Sequence, residues 1–233
     1  MTDHQITEIF DGAGDFIRRE LRCGEYTLYA YAIDGLVSSA DASENIFRPI
    51  ATNLYGGSME ELYRAALHGS VYNTVAGICK DLEDVALKLV NGFCVVLFPG
   101  SGAVAYEVRT GVSRTPSAPE VENTVKGPKD AFVETMRINT SVVRRHLRTP
   151  DLQLYQTTVG RRSLTNVTVA WIRGITNETL VDRMRARLDQ IDIDGLLSPA
   201  AMQGYIFLPC GRILQDRYRV PSCQRFSPGK RYL

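Results

Sequence analysis

The 233-residue chain has an ordinary globular composition, with 44% hydrophobic residues, 23% charged residues and a net charge of +1. This apolar content excludes a mostly disordered protein, and the 19 glycines and 10 prolines follow no period that would indicate a low-complexity chain. The longest apolar run, Phe93–Phe98, is far shorter than the ~20 residues of a transmembrane helix. The first residues lack the apolar segment of a signal peptide, so the sequence predicts neither a membrane-spanning helix nor a secretion signal.

The charge is distributed unevenly along the chain. Residues 1–100 contain 7 Lys and Arg against 14 Asp and Glu, and residues 101–233 contain 20 against 12. This asymmetry favours two modules or a face made for an acidic partner. A chance difference between solvated helix faces explains it equally well.

The first hundred residues carry the signals of alternating helices and strands. Residues 1–24 are amphipathic but interrupted by glycines, which predicts a pair of short helices or a loosely ordered lead-in. Residues 25–33 alternate β-branched and aromatic side chains and predict a strand, and residues 41–50 predict a short helix. Ser58-Met-Glu-Glu is a capping box that predicts a helix through Leu67.

A capped helix and a β-hairpin are predicted next. Asp81 is placed to cap the helix, and Phe93–Phe98 is a buried strand that returns over residues 103–109. The turn contains the pattern G-x-G-x-x-A from Gly100 to Ala105, which matches the dinucleotide-binding fingerprint in outline. That fingerprint requires a helix after the glycines, whereas residues 103–109 alternate like a strand, so the pattern favours a hairpin turn over a nucleotide site.

The second half begins with a predicted linker over residues 111–128, which are rich in proline, glycine, serine and threonine. The elements predicted after it are a helix over 129–147, strands over 152–159 and 167–172, a helix capped by Thr176 or Asn177, and a last short helix after Ser198-Pro199. Helices and strands in both halves predict an α/β fold, with α+β as the alternative. Each of two small subdomains is expected to contain a mixed sheet packed with helices.

The helix over residues 129–147 carries the sharpest side-chain pattern. Its expected apolar face contains Phe132, Met136, Val143 and Leu147. Arg137, Arg144 and Arg148 form a ridge beside that face, which we call the arginine stripe. The stripe is a candidate surface for an anion, an acidic partner or another subunit, and the alternative is a solvated face whose arginines complement the helix dipole. Asn139 is a poor helix former, so we expect its side chain to bond to a neighbouring loop.

Recognisable catalytic and metal-binding motifs are missing from the sequence. The five cysteines form no C-x-x-C pair and predict reduced thiols in a cytosolic compartment. Asp189, Asp192 and Asp194 lack the calcium-loop pattern, and Arg161-Arg162 lack the interleaved aromatic residues of a nucleic-acid surface. We therefore predict no catalytic residue, no metal, no cofactor and no nucleic-acid partner.

Four blocks of the sequence, in order, closely resemble the N-terminal region of the spore germinant receptor A subunits, the GerA family. The blocks are Lys126-Gly-Pro-Lys-Asp-Ala-Phe-Val-Glu134, the N-T-x-x-hydrophobic-R-R run over 139–152, the V-G-basic-x-x-x-T turn over 159–165, and Ala170-Trp-Ile-Arg-Gly-Ile175. The resemblance covers about residues 24–205. The chain departs from the family at Trp171, where the family usually has tyrosine, and at His146, where it often has a third arginine.

The resemblance implies a function in nutrient-triggered spore germination, through signalling and assembly rather than catalysis. It implies a two-part cytosolic domain on the inner membrane of the spore, divided into subdomains 24–122 and 123–205, with the receptor B and C subunits and other A subunits as partners. In that setting, Arg137, Arg144, Arg148 and Asn139 are candidate interface residues. The basic residues 206–233 do not match the family and are expected to be poorly ordered, as in a truncated or frame-shifted copy, or a fragment, that lacks the family's membrane helices.

Two other functions remain open at the level of sequence. A stand-alone regulatory domain that binds a small ligand or an anion would have a similar α/β build. An enzyme that acts on an anionic substrate would use the arginine region as its binding site.

Overall fold

Five strands from the first part of the chain pair into one sheet. The structure, a computed structural model, describes residues 1–52, 57–68, 75–108, 132–196 and 202. The strands are β1 (Phe16–Cys23), β2 (Tyr26–Ile33), β3 (Ala76–Cys79), β4 (Phe93–Phe98) and β5 (Gly102–Glu107). They lie in the order β1-β2-β4-β5-β3, and each neighbouring pair is antiparallel. The combination of helices and sheets is confirmed, but this sheet is antiparallel throughout rather than mixed.

Helices cover both faces of the five-stranded sheet. On one face, α1 (Asp3–Ile9) and α5 (Leu82–Val90) pack on side chains of β2, β4 and β5. The other face is covered by α2 (Ser39–Ala42), a π-helical turn (Ser43–Phe47), α3 (Arg48–Thr52) and α4 (Met59–His68). Because side chains alternate along a strand, each strand supplies residues to both cores.

Local capping signals place the helix starts as predicted. The Ser58 hydroxyl accepts a bond from the Glu61 amide at 3.3 Å, and the Glu61 carboxylate accepts one from the Ser58 amide at 3.2 Å. The Asp81 carboxylate accepts a bond from the Asp84 amide at 2.7 Å. The Gly100–Gly102 turn joins β4 to β5, both glycines have positive φ angles, and no helix follows them. The hairpin interpretation is therefore confirmed.

Two predictions for this part of the chain were wrong. The expected second N-terminal helix is strand β1, because residues 16–23 pair along their whole length with β2. Strand β3 was missed, since its four residues are too few to show a period.

The remaining elements are α6 (Met136–His146), β6 (Leu152–Val159), β7 (Thr165–Ile172) and α7 (Glu178–Asp189). Strands β6 and β7 form a two-stranded sheet, and the Asn177 side chain caps α7 by accepting a bond from the Thr179 amide at 2.9 Å. A small core of Val159, Leu188 and Leu196 holds β6, β7 and α7 together.

The chain divides into two compact units, Met1–Gln153 and Leu154–Leu233. The predicted subdomain boundary after residue 122 lies outside the described residues. Helix α6, which the sequence assigned to the second subdomain, lies in the first unit. The predicted linker and the expected disorder of residues 206–233 also lie outside the described residues. Of the predicted helix after Ser198-Pro199, only Met202 is described, and it is helical.

Candidate functional site on helix α6

Helix α6 starts later than predicted, and the hydrogen bonds of Asn139 explain why it begins at Met136. The helix begins at Met136, and residues 132–135 before it are not helical. The Asn139 side chain accepts a bond from the Val133 amide and donates one to the Val133 carbonyl, both at 2.7 Å. This pair holds the lead-in segment back against the first turn. The expected bond from Asn139 to a neighbouring loop is therefore present.

Arg144 is the centre of the site. Its side chain is fully buried, and its Nε and Nη2 atoms donate to the two carboxylate oxygens of Asp15 at 2.7 Å each. A third nitrogen, Nη1, donates to the Thr149 carbonyl at 3.2 Å. A planar guanidinium matches a carboxylate in this two-bond geometry, and the third bond satisfies a further donor that burial would otherwise leave unpaired.

Asp15 and Asp34 lie side by side because the hairpin brings their ends of β1 and β2 together. Phe16 pairs with Ile33 in the ladder, and the Asp34 amide donates to the Asp15 carbonyl at 2.8 Å. The Asp34 carboxylate forms an ion pair of 2.7 Å with Arg137, which is half exposed. Residues 137 and 144 are two helical turns apart, so one helix ridge reaches both carboxylates.

Close approach of the two backbones makes this geometry possible. Gly35 has a φ of +81°, and a Cβ at that position would lie 3.0 Å from the Arg137 carbonyl oxygen and 3.1 Å from the Ser141 Cβ. Thr140 and Ser141 are the other buried residues of α6, and their hydroxyls donate to carbonyls of their own helix. Small side chains on both sides therefore let α6 lie directly on the Asp34-Gly35 turn.

Arg148 points to a different environment. It is exposed, its Nε donates to the Arg145 carbonyl at 3.1 Å, and its Nη1 donates to the Asn91 side-chain oxygen at 3.2 Å. The stripe thus contains one buried, one half-exposed and one exposed arginine, each with a partner inside the first unit. An external anion at Arg144 would have to displace Asp15.

Burial controls the chemistry of the described thiols. It raises the pKa of Cys79 to about 11 and that of Cys94 to about 12, so both remain protonated at neutral pH. Within the described residues, no group of three His, Cys, Asp or Glu side chains is placed to hold a metal ion. The geometry of α6 is that of a docking element, held by directional polar contacts.

Comparison with known proteins assigns the family. The profile of the Bacillus/Clostridium GerA spore germination proteins matches residues 4–209. The chain belongs to the GerA family. It is 24% identical to the uncharacterized membrane protein YfkQ of Bacillus subtilis over 86% of this chain and 39% of that protein. It is 28% identical to stage V sporulation protein AF of the same organism over 76% of this chain and 36% of that protein.

A solved structure has the same fold. It is the crystal structure of the N-terminal domain of the A subunit of the Bacillus megaterium spore germinant receptor GerK3, with a TM-score of 0.59 at 22% identity. The match covers 81% of this chain and 70% of that one. The GerA-family chain spans less than two fifths of the two curated relatives named above. No helix in its described part is long and apolar enough to cross a bilayer.

Three of the four GerA-family blocks have positions in the fold, while residues 126–131 of the first block lie outside the described residues. The block over 139–152 is α6 with its exit to β6, the block over 159–165 is the β6–β7 turn, and the block over 170–175 ends β7. Sequence reasoning missed Asp15, Asp34 and Gly35, which receive α6. An Asp-Gly pair such as Asp34-Gly35 is typical of a turn, but it carries no signal of the element that packs on it, and Asp15 is 129 residues from Arg144.

Proposed function

We propose that this GerA-family chain acts as the N-terminal domain of a spore germinant receptor A subunit, in assembly and signalling rather than catalysis. The observation that carries the proposal is the family match over residues 4–209, supported by the shared fold of the GerK3 A-subunit domain. The domain would work on the cytosolic side of the spore inner membrane. Its partners would be the receptor B and C subunits and other A subunits.

The described site fits a role in transmitting a conformational change. Helix α6 leads directly into β6, and Arg144 bonds both to Asp15 and to the Thr149 carbonyl in the connection between them. A bidentate buried ion pair has one well-defined geometry, so it holds this connection in one arrangement. The subdomain division at residues 122 and 123 and the role of Arg137, Arg144, Arg148 and Asn139 at an interface are part of this proposal.

Deletion of the gene tests the function in spores. We expect slower or absent loss of optical density when the spores meet a nutrient, while growth and the yield of spores stay unchanged. A tagged copy of the chain should recover the B and C subunits from spore membranes. Normal germination with each nutrient tested, together with no recovery of either subunit, would contradict the proposal.

The exposed end of the arginine stripe tests an intersubunit contact. Charge reversal at Arg144 would bury an unpaired charge, so Arg148→Glu is the informative variant, and Arg187→Glu on α7 is a control at another exposed arginine. Subunit recovery that falls with Arg148→Glu and not with Arg187→Glu supports an interface at this end of α6. Equal recovery with both variants, at unchanged stability, argues against it.

A further inference from the structure

A small cavity lies between strands β1 and β2 and the helices that follow β2. Its volume is about 100 Å³, and its lining is almost entirely apolar. The cross-strand pairs Ile17–Ala32 and Arg19–Ala30 form the floor, and Phe47 of the π-helical turn contributes to the roof. All of these residues belong to the first compact unit.

The alternation of side-chain size along β2 creates this space. Tyr29 and Tyr31 face the core that contains α1 and α5. Ala30 and Ala32 face the opposite core, under α2 and the π-helical turn. Two methyl groups cannot fill the space that larger side chains fill elsewhere on this face, so a void remains between strand and helix.

A positive charge lies at the mouth of the cavity. The Arg19 side chain is exposed, and its guanidinium carbon lies 5.4 Å from the centroid of the Phe47 ring. In the part of the chain that the structure describes, no carboxylate forms an ion pair with Arg19. The neighbouring arginines differ in this respect, since Arg18 pairs with Asp3 and Arg48 pairs with Glu44.

We infer that this cavity binds a small aliphatic carboxylate, with the carbon chain inside and the carboxylate beside the Arg19 guanidinium. An apolar cavity of about 150 Å³ holds benzene, so a volume of about 100 Å³ suits a branched chain of about four carbons. The Arg19 fork provides two parallel donors for a carboxylate. The Ser39 and Ser43 residues also line the cavity and add hydroxyl groups near it.

Thermal unfolding of the 233-residue chain with sodium isovalerate tests the inference. A ligand that binds only the native state raises Tm in a saturable way. Isovaleramide has the same shape without the charge and should bind about tenfold more weakly, because it loses a charge-assisted bond. Acetate has the charge without the chain and should leave Tm unchanged.

Three variants separate binding in the cavity from binding elsewhere. Ala32→Leu fills the cavity and should abolish the response, whereas Ala40→Leu adds the same bulk at an exposed position of α2 and should retain it. Arg19→Gln keeps the cavity and should make isovalerate and isovaleramide equivalent. The inference is overturned if isovalerate gives no saturable rise, if the rise persists in Ala32→Leu, or if Arg19→Gln leaves the preference for the carboxylate intact. The measurement reads binding to the chain alone, so its failure leaves the proposed receptor function untouched.

Discussion

Helices α5 and α6 lie in the same compact unit, but they are held there by different interactions. Helix α5 buries Val85, Ala86, Leu89 and Val90. Helix α6 buries Thr140, Ser141 and Arg144. Two members of the apolar face predicted for it lie outside the helix, and they are exposed: Phe132 in the segment before it (67%) and Leu147 directly after it (42%). The apolar face expected for α6 is therefore not the face that it buries most deeply.

This difference predicts different responses to change. Apolar packing is non-directional and tolerates side chains of similar volume. A buried ion pair depends on charge, geometry and complete hydrogen bonding, and removal of one partner leaves the other charge buried and uncompensated. We expect α5 to behave as a permanent part of the core. We expect α6 to behave as an element that is either fully docked or released.

The largest effect should come from Arg144→Met. The substitution keeps much of the side-chain volume but leaves the Asp15 carboxylate buried without its partner. We expect the free energy of unfolding to fall by about 3–5 kcal/mol, measured by urea denaturation. Arg148→Met, at an exposed position just beyond the C-terminus of α6, should change it by less than about 0.5 kcal/mol.

A double-mutant cycle with Asp15→Asn sharpens this result. The pair Asp15→Asn and Arg144→Met removes both charges, so it should recover a large part of the loss caused by Arg144→Met alone. Additive losses in the double variant would mean that the two side chains contribute independently. That outcome would contradict docking through a coupled pair.

The next largest effect should come from Gly35→Ala. The new methyl group would meet the Arg137 carbonyl and Ser141 at 3.0–3.1 Å, and the residue would keep its positive φ. We expect a loss of about 2–3 kcal/mol, of which about 1 kcal/mol is the backbone cost of a left-handed residue. Gly24→Ala is the matched control, because Gly24 has a φ of +59° and nothing within 4 Å of its Cβ position. Equal losses at both positions would show that α6 does not press on the Gly35 turn.

Conservative substitutions should distinguish the packing of α5 from that of α6 more finely. Leu89→Met on α5 nearly conserves volume and should cost less than about 1.5 kcal/mol. Arg144→Lys on α6 keeps the charge but cannot form the two-bond fork to Asp15, so it should cost about 2 kcal/mol. Thermal unfolding of both variants at the same pH provides the comparison. If Arg144→Lys costs no more than Leu89→Met, the positive charge alone is sufficient to dock α6.

The parts of the fold that the sequence predicted are those encoded by neighbours along the chain. The Ser58–Glu61 capping box and the Asp81 cap define helix starts within one turn. The apolar run Phe93–Phe98 and the turn after it define a hairpin. Strand β1 was mistaken for a helix because its order comes from pairing with β2, although half of its residues are charged and most are exposed.

The candidate site was only half predictable for the same reason. The spacing of seven residues predicted that Arg137 and Arg144 share one ridge, and both lie in α6, but Arg148 lies beyond the last residue of that helix, His146. The poor helix propensity of Asn139 indicated its bond to the lead-in. Burial of Arg144 depends on Asp15, which no local pattern connects to it. An arginine on a helix is usually exposed, so the sequence alone favours a solvated side chain.

The smallest effect should come from an ion pair of similar geometry that is exposed to water. Arg18 donates to both Asp3 oxygens, at 2.8 and 2.7 Å, and Tyr31 also donates to Asp3. The hydrogen bond from Arg18 holds the pKa of Asp3 below its usual value. Burial acts in the opposite direction, and the bond from Tyr31 lowers the pKa further. Since both partners are accessible to solvent, Asp3→Asn should cost no more than about 1 kcal/mol at pH 7.

The pH dependence of this cost follows from the sign of the shift. A carboxyl whose pKa is lower in the folded state stabilises the fold above its unfolded pKa of about 3.9 and loses that contribution as the pH falls through the folded value. The difference in Tm between the wild type and Asp3→Asn should therefore be present at neutral pH and shrink in strong acid. Asp11→Asn, at an exposed position after α1, is the control and should show a smaller difference. If Asp3→Asn lowers the free energy of unfolding as much as Arg144→Met does, burial does not distinguish the Arg18–Asp3 pair from the Arg144–Asp15 pair. The contrast between α6 and the exposed contacts would then be wrong.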